Sequence, residues 1–231
     1  MYIQLNEPSC RVRLLVNKRA RRFVLRLASD GDGAILTHPP GVPRHECESF
    51  LARHAGWLSK ALAKAGPIIP IAAGAQIPVD GVLRAISHDT SRRRATELGE
   101  DTIALFGRGG AGPKLKAFLK THARDRLAPA AQRYAAELGR EVTQVALRDT
   151  RSRWGSCSSN GTLSFSWRLA MAPIEVQEYV AAHEAAHLVE MNHSHRFWAV
   201  VERLMPDWEA HRTWLRREGR GLHNYRFDLE T

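Results

Sequence analysis

The chain has 231 residues, a formal net charge of +10 and a pI near 10.1. Its apolar fraction of 44% and charged fraction of 25% match globular averages and exclude a disordered or fibrous chain. No apolar stretch approaches the roughly 18–20 residues that span a bilayer, and Met1–Pro8 lacks a signal-peptide pattern, so a cytoplasmic protein with no membrane contact is expected.

The three cysteines, Cys10, Cys47 and Cys157, are odd in number and widely spaced, which fits a reducing compartment and not a disulfide framework. The basic excess favours acidic partners and supports non-specific contact with nucleic acid, although charge alone predicts stickiness better than function.

Val12–Val16 and Phe23–Leu27 read as two strands of a hairpin, with the basic run Lys18–Arg22 as its solvated tip. Ile35–Thr37, before Pro39-Pro40-Gly41, reads as a third strand. Cys47, Phe50, Leu51, Trp57, Leu58 and Leu62 recur at helical spacing, which predicts one bent helix or two short ones with a break at Gly56. Two strands follow at Val82–Ile86 and Thr102–Phe106. Pro113 starts a helix that Pro129 is expected to kink or divide before Gly139. Val142–Arg148 alternates as a half-buried strand, and a glycine-pinned loop from Trp154 to Gly161 leads into a strand at Thr162–Trp167. Ala172-Pro173 opens a long helix to about Glu190. A last helical region runs from Ser194 towards Arg217, interrupted by Pro206.

The long helix carries His183-Glu184-Ala185-Ala186-His187, an H-E-x-x-H pattern in the helical setting the pattern requires. Residues four apart share a helix face, so both imidazoles can converge on one ion, and zinc accepts imidazole nitrogen readily. Glu184 is rotated by about 100° from the first ligand, beside the ion and not on it. There it can take a proton from water activated by the metal and pass it to a leaving amine. The helix is otherwise apolar around the motif, as a buried metal-bearing helix should be.

Six residues after His187 stands His193, an offset that lets the chain turn back and supply a third ligand. A glycine three residues after the second histidine is usual in such sites. Glu190 stands there, and Asn192, which tolerates the left-handed conformation, is expected to make the turn. His193 ranks first by spacing, with His195, Glu190, Glu202 and Glu209 as competitors. His195, His211 and His223 are by default surface or satisfied histidines, and Trp198, Trp208 and Trp214 core anchors. Arg153 and His195 are candidate oxyanion donors.

Arg153-Trp154-Gly155-Ser156-Cys157-Ser158, Trp167-Arg168-Leu169, Pro173, Tyr179-Val180 before the H-E-x-x-H motif, Asn192-His193-Ser194 and Phe197-Trp198 stand in the order and spacing of the YgjP-like metallopeptidase family, which the chain resembles. That family is related to SprT-like proteases and the broader zincin group. The resemblance extends from Arg11 over most of the chain and is loose from Gly66 to Gly112. It implies a zinc-dependent peptidase acting on protein or peptide substrates, with His183, His187 and His193 as ligands and Glu184 as catalyst. Ala185 stands where leucine is usual and Ser166 where asparagine is usual; neither is a ligand position. The Trp154–Ser158 loop and its strand would form a cleft wall, with Cys157 a small buried residue and not a fourth ligand.

The expected organisation is α+β: a β-rich N-terminal domain with one or two helices over 1–110, then a mainly helical zincin-like metal-binding domain with a short sheet over 111–231. Two rival functions are a metal-dependent nucleotide phosphoanhydride hydrolase, whose arginines would hold phosphates, and a nucleic-acid-associated module with structural zinc. No glycine-rich phosphate loop supports the former.

Overall fold

In a computed structural model, residues 1–28 and 33–228 are described. They form an α+β structure of two compact units, Met1–Ile68 and Ile69–Thr231. No helix among them is long and apolar enough to cross a membrane.

The first unit holds strands β1 (Tyr2–Asn6), β2 (Ser9–Val16), β3 (Val24–Leu27) and β4 (Ala34–His38), then helices α1 (Arg44–Arg53) and α2 (Ala55–Ala65). The sheet order is β1-β2-β4-β3. The expected hairpin of β2 with β3 therefore does not form: β4 lies between them, parallel to β2 and antiparallel to β3. Burial explains the exchange. Ala34, Ile35 and Leu36 are all buried and need cover on both faces, whereas β3 is half exposed and suits an edge. The helix break falls at His54, two residues before Gly56. Cys47, Leu51 and Leu58 pack from the helices onto Ile3, Val12 and Leu36.

The second unit opens with β5 (Ile69–Pro70), β6 (Gln76–Val79), β7 (Val82–Asp89), β8 (Glu97–Leu98) and β9 (Thr102–Phe106). The last four make a sheet in the order β6-β7-β9-β8, with β7 and β9 parallel. Helix α3 (Ala111–Glu137) follows, then β10 (Gln144–Arg148), β11 (Gly155–Cys157) and β12 (Thr162–Ser166), with a 3₁₀ turn at Trp167–Met171. Helices α4 (Ile174–Ala186), α5 (His195–Leu204) and α6 (Trp208–Arg217) come next. A second 3₁₀ turn at Gly219–His223 leads into β13 (Tyr225–Arg226), which pairs with β5.

The two compact units divide at Ile68/Ile69. Ile71, Ile77, Val79, Ile86, Ile103 and Leu105 belong to one apolar core with α3 and α4. Pro129 does not divide α3, which runs through it from Ala111 to Glu137. Its ring is exposed, while Leu119, Ala123, Leu127, Ala130 and Tyr134 continue one buried face past it. That burial offsets the roughly 3 kcal/mol a helix-interior proline costs.

The tip of the β6–β7 hairpin positions α4. Asp80 and Gly81 both have positive φ, 52° and 78°, as a two-residue primed turn requires. The Asp80 carboxylate accepts from His122 Nε2 (2.8 Å) and Arg126 (3.2 Å) on α3, and from Gln177 (2.9 Å) on α4. Burial works against its charge, yet these hydrogen bonds and the facing cations hold the carboxyl below the usual range. A Cβ at Gly81 would stand 2.9 Å from Pro173 Cα, so glycine lets the tip abut the start of α4.

Candidate metal centre

Helix α4 lies in the core, with Val176, Tyr179, Val180, Ala181, Ala182, Ala185 and Ala186 buried. It ends at Ala186, four residues before the expected Glu190, with His187 as its C-cap. Leu188 and Val189 donate to the carbonyls three residues back, which tightens the last turn and reverses the chain. Asn192 does not take the left-handed conformation; among the described residues Asp80 is the one non-glycine that does. The Asn192 side-chain oxygen instead accepts from Ser194 N–H (3.2 Å), a local turn that brings His193 back over the helix.

One ligand nitrogen from each of His183, His187 and His193 lies within 4.8 Å of the others. His193 Nε2 and His183 Nε2 are 3.0 Å apart. Nitrogens around a tetrahedral zinc would stand about 3.3 Å apart, between these two distances. Among the described residues, neither His195, Glu190, Glu202, Glu209 nor Cys157 joins the group. The Glu190 carbonyl instead accepts from His187 Nδ1 (3.0 Å); because a carbonyl only accepts, Nδ1 carries the proton and Nε2 keeps its lone pair. Phe197 is fully buried beneath the three rings, 4.4–4.9 Å from their centroids.

Burial, with the neighbouring charges of His187, His193 and Arg212, pushes His183 down to about 3. Burial also lowers His187. Both are therefore neutral imidazoles, the form that binds metal. Glu184 is 4% exposed, and among the described residues its Oε2 has no hydrogen-bond partner. Burial raises its carboxyl to about 8, against the pull of Arg153. A cation at the imidazoles would favour the charged form. Three convergent imidazoles beside a buried carboxyl fit a catalytic metal ion, leaving one position open.

A cleft of about 510 Å³ opens here, lined by Trp154, Gly155, Tyr179, Glu184, the three histidines and Arg153, Arg212 and Arg216, among others. Arg153 is thus in the cleft, and His195 is not. Cys157 lines the wall as a free thiol raised to about 11 by burial and the Glu184 charge. His211 pairs with Asp207 (3.0 Å), and His223 packs on the Trp154 ring, 5.2 Å away. Trp198, Trp208 and Trp214 pack against the core; the first two stack at 4.4 Å with Arg212 over Trp198.

The sequence reading misses three features. Tyr179 stands four residues before His183, a spacing that signals a shared helix face. Arg212 and Arg216 come from α6 and are unmarked until it packs on α4. Gly155 is required by close approach: a Cβ there would stand 2.6 Å from Glu184 Cγ and 2.7 Å from Cδ. Gly155→Ala should displace the carboxylate and lower kcat by about a hundredfold with metal content unchanged. Wild-type kcat in that variant would contradict the contact.

These side chains have the form of a metal-dependent hydrolase site. The chain belongs to the YgjP-like metallopeptidase family, whose domain profile matches residues 21–218. No curated protein sequence matches it.

Proposed function

We propose that the chain is a zinc-dependent peptidase that hydrolyses peptide bonds, with Glu184 as general base. The reading rests on one observation: three imidazoles converge beside a buried carboxyl whose Oε2 has no hydrogen-bond partner among the described residues. His183, His187 and His193 hold the ion through one nitrogen each. When bound, zinc supplies Lewis acidity, lowering the pKa of water towards roughly 7 and polarising a carbonyl.

Glu184 takes the proton of the attacking water and passes it to the leaving amine. Tyr179, whose phenol burial keeps protonated at a pKa of about 12, and Arg153 are the donors for the developing oxyanion. The three free thiols suit a reducing, cytoplasmic setting.

The test is cleavage of casein and of a mixed peptide library by chain stripped with a chelator and then reloaded with zinc. Cleavage should vanish on stripping and return at one zinc per chain. Undiminished cleavage by the stripped chain would refute the metal dependence.

A further inference from the structure

Strand β11 is the edge of the sheet β10-β12-β11, and its two faces differ in chemistry. Gly155 abuts Glu184, so by alternation Gly155 and Cys157, two apart, share the face over the metal centre, although Ser156 also borders the cleft. Ser156 belongs to the opposite face, directly across from Ser164 and in line with Ala146. Arg148, two residues beyond Ala146, shares that face. There a second hollow of about 300 Å³ is lined by Arg148, Thr150, Arg153, Ser156 and Ser164, with Gly155 and Phe165.

The hollow is built for an anion. It holds two guanidinium groups and three hydroxyls and no carboxylate. Among the described residues neither Arg148 nor Arg153 has an ion-pair partner, whereas nearby Arg168 is held by Asp149 at 2.8 Å. The main cleft has the same bias, with three arginines and Glu184 as its one acidic lining residue.

The backbone connects the two hollows. Trp154 C=O accepts from Ser166 N–H (2.8 Å), and Ser158 N–H donates to Thr162 C=O (3.0 Å). In an antiparallel pair these roles alternate, so Gly155 and Cys157 direct their N–H and C=O groups to the open edge. An extended peptide added there sends successive side chains to opposite faces. One residue sits over the imidazoles, and its neighbour faces the arginines.

We propose that this second hollow is an anionic subsite that binds the carboxylate of an Asp or Glu residue adjacent, in the substrate, to the residue seated over the metal centre. The inference rests on the peptidase reading and names its substrate class: acidic peptides. Arg148 supplies the charge and Ser156 and Ser164 the neutral donors, while Arg153, which also lines the cleft, is left to the oxyanion. An exposed arginine–carboxylate contact is screened by salt, so the preference should shrink as ionic strength rises.

The test compares paired peptides that differ only by Glu or Gln, scanned through the positions flanking the cleaved bond. Zinc-loaded wild type should show kcat/KM about tenfold higher for Glu at one flanking position, a ratio equivalent to about 1.4 kcal/mol. Arg148→Glu should invert that ratio and favour Lys at the same position. The ratio is read within each variant, so a general loss of activity cancels. Fluorescence anisotropy on zinc-loaded Glu184→Gln should show the same preference in Kd without turnover.

Peptide cleavage with equal Glu and Gln ratios overturns the subsite and leaves the peptidase reading standing. Failure to cleave any peptide overturns both. Hydrolysis of a nucleoside triphosphate in place of peptides, with the same dependence on Arg148, assigns the hollow to phosphate and overturns the subsite as stated.

Discussion

Glu184→Gln is expected to retain one zinc per chain and to lose turnover by a factor of about 10²–10⁴. The substitution preserves volume at a residue that is 4% exposed, and it removes the proton acceptor while leaving all three imidazoles in place. Metal analysis and kcat on one preparation check both halves. Loss of zinc would make Glu184 a ligand, and wild-type kcat would place the base elsewhere.

A third readout follows from linkage. In the metal-free protein the Glu184 carboxyl is raised from 4.5 to about 8, so the folded state binds a proton that the unfolded state has released between those values. Stability contributed by this position therefore falls as pH rises from about 4.5 to about 8. Glu184→Gln should abolish that decline and raise the melting temperature of the metal-free chain at neutral pH. An identical pH dependence of Tm in variant and wild type would contradict the burial of this group.

The second large effect is on the metal. His193→Ala removes one of three donors from an exposed position in the loop after α4, so the core beneath should remain intact. Zinc affinity should fall by more than the roughly 10–100-fold that outer-shell partners contribute, leaving substoichiometric metal against a competing chelator. His195→Ala, two residues away but outside the group and the cleft, should retain full occupancy. One tightly held zinc in His193→Ala would refute the ligand set.

The features legible in the sequence are those governed by near neighbours along the chain. The spacing of His183, Glu184 and His187 needs only helical periodicity to place two imidazoles on one face and the carboxylate beside them. The apolar rhythm of the strands and the helix-starting prolines are equally local, and they define an α+β chain whose core helix carries the histidine pair. Local rules also misled. Proximity of β2 and β3 in sequence suggests a hairpin, Pro129 a kink or a second helix, and Asn192 a left-handed turn. In each case burial or a side-chain hydrogen bond outweighed the local preference: β4 needed both faces covered, the α3 face continued past its exposed proline, and Asn192 capped Ser194.

What only the tertiary structure decided is what meets across the chain. That His193, and not His195 or Glu190, comes beside His183 and His187 depends on how the backbone reverses after Ala186. The placement of Gly155 against Glu184 depends on β11 pairing with β12 in one register. The arginines of α6 enter the cleft because α6 packs on α4, and Arg148 and Arg153 meet because alternation along β10 and the chain before β11 bring them to one hollow. Periodicity specifies which face of an element is apolar. The partner of that face, and hence the chemistry brought beside it, is set by the burial and hydrogen-bond satisfaction of the whole fold.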